Sequence, residues 1–364
     1  MVIHIGSEVG SLSNQKIHTG IQRVAVELHK HLFIFQNEFG ISIHPYISNN
    51  DQKSDNYKEN KFISQDPVLN LSFKKLDDLD ILILIDHNWR TDFGAILKAK
   101  QKNPNLKVIS LMYDILPINH PEWFEGEAHL ISTYFRIYLQ KILKIADLVV
   151  VNTDKVLNEI SQLKWDFKGK FRVIPLGSFE PSLLRVKHPI RTPNTMITVG
   201  TIEPRKGQLD LLDAFEILRE ERFDIRLFIV GNYGWQSEKL IERIYNHPDY
   251  GGRLRWFRGI SDEELSHLYQ ISTFSVAPSY DEGFGLNIEE SLRHGTPVLA
   301  RNIEVFSERA QDGIRYFDKD NSDLTKQIRL MCLEEVRVAP NIRSMKDFSK
   351  DFLEAVIECA NSSN

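Results

Sequence analysis

Two segments of this 364-residue chain carry residue types spaced for chemistry on an anion. In TIEPRKGQLDLLDAF, Arg205 and Lys206 directly follow Pro204, a residue suited to a turn or a helix start. Cations at a helix start oppose the helix dipole, which carries roughly half a positive charge there. An anion ligand explains the pair better, with arginine forking onto phosphate oxygens and lysine adding a point charge. A solvated surface pair is the alternative. In SYDEGFGLNIEESLRHGTPVLA, Gly283 and Gly285 flank Phe284, and a helix is expected from Leu286. The glycines would let a ligand approach the backbone, and the first helical amides would hold a diphosphate. Glu290 falls in the second turn of that helix, where a carboxylate can accept hydrogen bonds from the vicinal hydroxyls of a ribose. Glu282, before the turn, would orient a sugar hydroxyl or balance charge near a leaving phosphate. Glu289 reads as an acid complementing the dipole.

The elements that must position these residues follow from twelve short apolar runs separated by amphipathic stretches. The first six are VIHI, ISIHPYI, DILILI, KVISLMY, DLVVVN and FRVIPL. After a break come MITVG, IRLFIVG, LRWFRG, TFSVAP, PVLA and IRYF. Runs this continuous predict strands buried on both faces, as in parallel sheets covered by helices. The intervening stretches fit helices. GIQRVAVELHKHL sets Ile21, Val24, Leu28 and Leu32 at helical spacing, and Ser261 with Glu264 forms a capping-box pattern. Two strand series imply an α/β protein of two Rossmann-like, doubly wound domains, expected at 1–180 and 181–345, with a closing helix over 346–364. The proline-bearing stretch Gly177–Asn194 reads as the boundary, and the polar stretch Asn49–Phe62 as a loop.

Bulk properties exclude several classes. A net charge of -5 and a pI of about 6.2 give no basic field for nucleic acid. Cys332 and Cys359 stand apart from any CxxC or histidine cluster, which argues against a disulfide framework or zinc site. DDLD at Asp77–Asp80 reads as a turn before a strand. The opening MVIHIGSEVG has no basic leader, and no apolar run is long enough to span a bilayer, so a cytoplasmic protein is expected. HIGSEVGSLSN lacks G-x-G-x-x-G spacing, which weighs against a dinucleotide-dependent dehydrogenase. TYFRIYLQKILKIADLVV at Thr133–Val150 is expected to pack on the core. Peripheral contact with the inner face of a membrane is the other reading of this basic, aromatic stretch.

The pattern Glu282-Gly-Phe-Gly-Leu-x-x-x-Glu290-Ser, followed by GTPVLA, resembles the donor site of retaining glycosyltransferases of family 4 (glycosyl transferases group 1). VGTIEPRKG, LFIVGNYG, FRGISDEELSHLYQIS and APSYDEGFGLNIEESL occur in the family's order over Met196–Phe317. The resemblance implies a GT-B fold, in which two Rossmann-like domains face across a cleft. It implies that Arg205 and Lys206 contact the donor diphosphate, Glu282 lies against the sugar and Glu290 binds the ribose. Gly259 and Ile260 would run under the base, and Gly283, Phe284, Gly285 and Leu286 would line the phosphates. In the first domain the likeness is looser. HTGIQRVAVELHKHL is similar to the family's first loop and helix, so Thr19 and Gly20 would approach the donor phosphate. Arg23 would point at that phosphate or form a surface salt bridge. ISLMYDILPINHPEWF resembles a segment of mannosyltransferase-like members. Where many members place a histidine, this chain has Tyr113-Asp114. Asp114 becomes the candidate for the acceptor hydroxyl, and His120 a candidate catalytic group from the loop.

These expectations combine into a retaining hexosyltransferase that moves a sugar from a nucleotide-sugar donor to a saccharide or lipid-linked acceptor, in surface polysaccharide synthesis. The first-domain resemblance favours mannose from GDP-mannose, with UDP-sugars and GDP- or TDP-deoxysugars open. No cofactor or metal is expected, because helix amides and the Arg205-Lys206 pair can neutralise a leaving diphosphate. A sugar-nucleotide epimerase of the same fold, or a non-catalytic sugar-nucleotide or glycan-binding subunit, are the rivals.

Overall fold

The computed structural model describes residues 2–8, 20–46, 75–85, 91–124, 129–181, 190–308, 311–338 and 342–362. The expected loop at 49–62, Thr19 and residues 182–189 of the linker stretch lie outside these residues. All twelve apolar runs become strands. They are β1 (Ile3–Glu8), β2 (Ile41–Tyr46), β3 (Ile81–Leu84), β4 (Lys107–Met112), β5 (Leu148–Val151), β6 (Lys170–Val173), β7 (Thr195–Val199), β8 (Arg226–Val230), β9 (Leu254–Phe257), β10 (Phe274–Ala277), β11 (Val298–Arg301) and β12 (Ile314–Phe317). They form two six-stranded, wholly parallel sheets, ordered β2-β1-β3-β4-β5-β6 and β12-β11-β10-β7-β8-β9. Each is a doubly wound order. The direction of winding reverses between β1 and β3 in the first sheet, and between β7 and β10 in the second.

Burial follows strand position. Central β3 is fully buried along its length, whereas β6, at the edge, alternates exposed and half-buried residues. The run FRVIPL therefore enters the sheet only through its first half. The chain divides into two compact units. One comprises 1–119, 129–175 and 345–364; the other comprises 120–128 and 176–344. The C-terminal helix Met345–Asn361 belongs to the first unit, against the helix Gly20–Phe39. It buries Phe348 and Phe352 there, and the His31 ring meets Ser349 Oγ at 3.1 Å. Val24, Leu28 and Leu32 are the buried stripe of the N-terminal helix, as its spacing predicts.

His120, expected with the first domain, packs in the second unit instead. Phe124 meets Trp235 at 5.3 Å between ring centroids, and His120 bonds Asp281. Phe124 is buried in this second unit, and the apolar contact it makes there outweighs the run's place in chain order. Asp77 and Asp78 form a short 3-10 turn before β3, Asp80 accepts from the His4 amide, and Asp77 pairs with Lys102 at 3.1 Å. Both cysteines are free, and burial pushes the Cys332 thiol up to about 12. Among the described residues no group of three or more metal-ligating side chains comes together, and no helix is long and apolar enough to cross a membrane.

Candidate functional site

The carboxyl ends of β10, β7, β8 and β9 are consecutive along the second sheet. Each is followed by a segment carrying candidate residues. After β7 the chain makes a 3-10 turn, Pro204–Lys206, and leaves it through Gly207 at φ 66° into the helix Gln208–Glu220. A Cβ on Gly207 would lie 2.1 Å from the Pro278 carbonyl oxygen, so only glycine lets this turn press against the loop after β10. That loop runs from Pro278 to Gly285 and opens the helix Leu286–Arg293. Gly285, at φ 89°, is its left-handed cap, and a Cβ there would meet the Phe306 ring at 2.6 Å. Gly283 is buried but has no positive φ, so one glycine of the pair carries the turn. Asn287 Nδ2 ties this helix to the Val199 carbonyl at the end of β7.

These two segments bring Arg205, Lys206 and Glu282 into one ion-paired cluster. Lys206 Nζ donates to Glu282 Oε1, Arg205 Nη1 donates to Glu282 Oε2 at 3.3 Å, and Arg205 Nε donates to Glu203 Oε2 at 2.8 Å. Ser279 Oγ donates to Glu282 Oε1 at 2.8 Å. All four charged groups are largely buried. Burial alone would raise the Glu282 carboxyl. The Lys206 and Arg205 charges, with the bonds from Lys206 and Ser279, outweigh it and hold the group at about 2. Glu282 is therefore an anion at any physiological pH.

Arg205 and Lys206, expected to meet a donor diphosphate, have acid partners within the protein. Their charges already meet Glu203 and Glu282, and the four formal charges cancel. An arriving diphosphate would share these cations with two carboxylates. Glu203, two residues before Arg205, was not identified from the sequence. An acid adjoining a cation pair is the signal that finds it.

His120 is no isolated loop histidine. Its Nε2 lies 3.1 Å from Asp281 Oδ2 and its Nδ1 3.1 Å from Glu122 Oε1, and its ring stacks on Trp123 at 3.8 Å. Asp281 Oδ1 accepts from the Glu282 amide at 2.8 Å, so one carboxylate joins His120 to the Glu282 loop. Asp281 and Ser279 flank Glu282 in the same quoted stretch and passed unnoticed there.

The segments after β8 and β9 line an open depression of about 570 Å³ formed by Asn232, Tyr233, Trp256, Phe257, Arg258, Gly259 and Ile260. Gly259 is held by its amide bond to Asn232 Oδ1 at 3.1 Å, and the Arg258 guanidinium lies 4.8 Å over the Tyr233 ring and 4.9 Å over Trp256. Backbone bonds join this region to the cation turn: Ile202 N donates to Asn232 O and Gly234 N to Ile202 O. Glu290 is buried in the second turn of its helix, and Glu289 in the first accepts from Gln311 Nε2 at 3.3 Å. The capping box Ser261–Glu264 forms in full.

Gly20 and Asp114 belong to the first unit. Gly20 begins the helix Gly20–Phe39, and Asp114 Oδ1 accepts from the Leu116 amide at 3.1 Å, closing a turn before the helix Leu116–Asn119.

Residues 182–345 match the family described as glycosyl transferases group 1. The serotype-specific mannosyltransferase WbdA of Escherichia coli is 33% identical over 238 residues, which are 60% of this chain and 29% of that protein. The O-antigen chain mannosyltransferase B of Escherichia coli is 31% identical over 157 residues, 42% of this chain and 41% of that one. The chain thus spans less than a third of the length of WbdA. Among solved structures, sucrose-phosphate synthase from Thermosynechococcus elongatus superposes with a TM-score of 0.62 at 17% identity, covering 98% of this chain and 96% of its own. Anabaena HepE in complex with UDP and glucose gives 0.60 at 13%, covering 98% and 97%. At such identities these structures establish the fold, which is GT-B.

Proposed function

We propose, from a chain whose residues 182–345 match the glycosyl transferases group 1 family, that the protein transfers a hexose from a nucleotide-sugar to a saccharide or lipid-linked acceptor with retention of configuration. The observation that carries this reading is the order of groups along one sheet edge. Glu282 follows β10, Arg205 and Lys206 follow β7, Asn232 and Tyr233 follow β8, and Gly259 and Ile260 follow β9. Four adjacent strands span roughly 14 Å at the usual inter-strand spacing. That suits a donor laid across the strand ends, sugar at Glu282, diphosphate at the cations, and base in the depression. Glu290 would bind the ribose hydroxyls, with Gly283, Phe284, Gly285 and Leu286 along the diphosphate.

The chemistry follows from the charges. Arg205 and Lys206 would take up negative charge as the bond from the anomeric carbon to the phosphate oxygen breaks. The acceptor hydroxyl would attack from the same face, passing its proton to the departing phosphate oxygen. Glu282, ion-paired and held at about 2, is a weak base and a poor nucleophile, so its role would be to orient the sugar. Asp114 would bind the acceptor hydroxyl. No metal is assigned, and full turnover in excess chelator is the matching expectation. Peripheral membrane contact would use the helix His129–Ile145, where exposed Leu130, Tyr134 and Ile137 align with Lys141 and Lys144.

The mannosyltransferase names of the two Escherichia coli relatives support GDP-mannose as donor and O-antigen synthesis as the setting. The test is incubation with GDP-mannose, GDP-fucose, UDP-glucose and UDP-N-acetylglucosamine, with and without mannose-terminated acceptors, and NMR of the product anomer. An α-linked mannoside formed from GDP-mannose is expected. A β-linked mannoside from GDP-mannose would overturn retention. Epimerised donor without acceptor would replace the reading with epimerase chemistry, and binding without turnover on every acceptor would favour a binding subunit.

A further inference from the structure

Arg301, the last residue of β11, is fully buried, yet it is absent from every motif singled out above. A guanidinium loses its hydration on burial and must find fixed acceptors. Arg301 finds four. Nε donates to the Pro278 carbonyl at 2.9 Å, Nη2 to Asp210 Oδ2 at 2.6 Å, and Nη1 to the Lys319 carbonyl at 2.6 Å and Asn321 Oδ1 at 2.7 Å. Its Cζ lies 4.2 Å from the ring centroid of Tyr280 and 5.1 Å from that of Phe317.

The partners matter more than their number. Pro278 starts the loop that carries Glu282, and Asp210 sits in the first turn of the helix that follows Lys206. Tyr280 closes the link. Its hydroxyl donates to the same Asp210 oxygen at 2.7 Å and its amide donates to the Arg205 carbonyl at 2.9 Å. Burial, then the bond to Asp210, pushes the Tyr280 hydroxyl up to about 12, so it stays a donor. The Gly207 turn packs directly on this side chain, since a Cβ there would meet Arg301 Nη2 at 3.3 Å. The segments that carry the cations and the acid are therefore pinned to one planar group at the strand between β10 and β12.

We propose that Arg301 is the positioning residue that fixes the Arg205–Lys206 turn against the Glu282 loop, and so sets how tightly the site takes a nucleoside diphosphate. The inference rests on the nucleotide-sugar reading above. Lysine at this position keeps the charge but cannot reach four acceptors in a fixed fork. Tyr280→Phe and Asp210→Asn cut the same network at its outer edge without emptying the core.

The experiment measures calorimetric affinity for GDP, UDP and pyrophosphate in wild type, Arg301→Lys, Tyr280→Phe and Asp210→Asn, beside urea midpoints. Phe215→Leu, buried in the same helix but away from both loops, is the stability control. Arg301→Lys is expected to weaken the best-bound nucleotide tenfold or more, and Tyr280→Phe two- to fivefold. Phe215→Leu should lower the midpoint and leave affinity unchanged. Should Arg301→Lys not fold, Tyr280→Phe and Asp210→Asn carry the test alone. Unchanged affinity in every folded network variant would overturn the inference while leaving the nucleotide reading intact. So would a Phe215→Leu loss of affinity matching theirs at equal destabilisation. Wild-type protein that binds none of the three probes would sink the nucleotide reading and this inference with it.

Discussion

The two sheets share an architecture but treat their polar groups in opposite ways. In the first, the reversal of winding falls between β1 and β3, and the buried polar pair there is neutral. His29 Nδ1 donates to the Ala25 carbonyl at 2.7 Å, so Nε2 accepts from Ser7 Oγ at 2.8 Å. Burial pushes this ring down to about 4. In the second, the reversal falls between β7 and β10, and the buried groups there are two cations and two carboxylates. A neutral pair needs only a donor and an acceptor to be satisfied. A charged cluster at a strand end persists only if each charge is matched, and matched charge is what can be redistributed when a ligand arrives. The difference puts the charged cluster in the second unit, and it can be broken in several ways.

The largest effect is expected from removing both cations. Arg205→Ala with Lys206→Ala leaves Glu203 and Glu282 buried side by side without the charges that hold them. Breaking a buried pair costs roughly 3–5 kcal/mol. Affinity for the diphosphate donor should fall by on the order of 10³ and turnover with it, on protein verified as folded by circular dichroism. Wild-type kinetics in that double variant would remove the anion clamp and with it the contrast between the sheets.

Glu282→Gln sharpens the same point with a smaller change. It leaves the cluster with one net positive charge. Pyrophosphate should bind as tightly as to wild type or tighter, while turnover of the donor falls about 100-fold because the sugar loses an ionised partner. Turnover within a few-fold of wild type would take Glu282 away from the sugar. Glu290→Ala should cost roughly tenfold in GDP or UDP affinity, the worth of one charged hydrogen bond. Equal affinities in variant and parent would cancel the ribose assignment.

Reading the sequence found all twelve strands because parallel strands buried on both faces leave continuous apolar runs, a signal independent of pairing. It pointed to Arg205, Lys206 and Glu282, which the fold brings into one cluster, because each closely follows such a run. It missed what tertiary contact alone decides. Arg301 directly follows the apolar run PVLA, and nothing local says that its side chain reaches back to Pro278 and Asp210. Glu203 lies two residues from Arg205, but spacing alone does not tell an internal acid partner from an external anion. His120 went to the wrong unit since chain order, rather than the Phe124–Trp235 contact, was used to place it.

The smallest effect separates the units by pH. A group whose folded value is depressed adds stability that is present above its unfolded value and lost as pH falls toward the folded one. For His29 that window runs from 6.5 down to about 4. For Glu282 it runs from 4.5 down to about 2, below the range in which the histidine has already titrated. Mild acid should therefore weaken the first unit through His29 while the second keeps its cluster. In wild type the urea midpoint should drop between pH 6.5 and 4, whereas His29→Asn, with nothing to protonate there, should show a shallower slope over the same interval. Hydrogen exchange at pH 5 should then show protection lost around β1 and the helix Gly20–Phe39 before β7 and β10. Equal loss of protection in both sheets, or an unchanged slope in His29→Asn, would mean that the neutral pair is no weaker to acid than the charged cluster, and the contrast between the two switch points would not extend to stability.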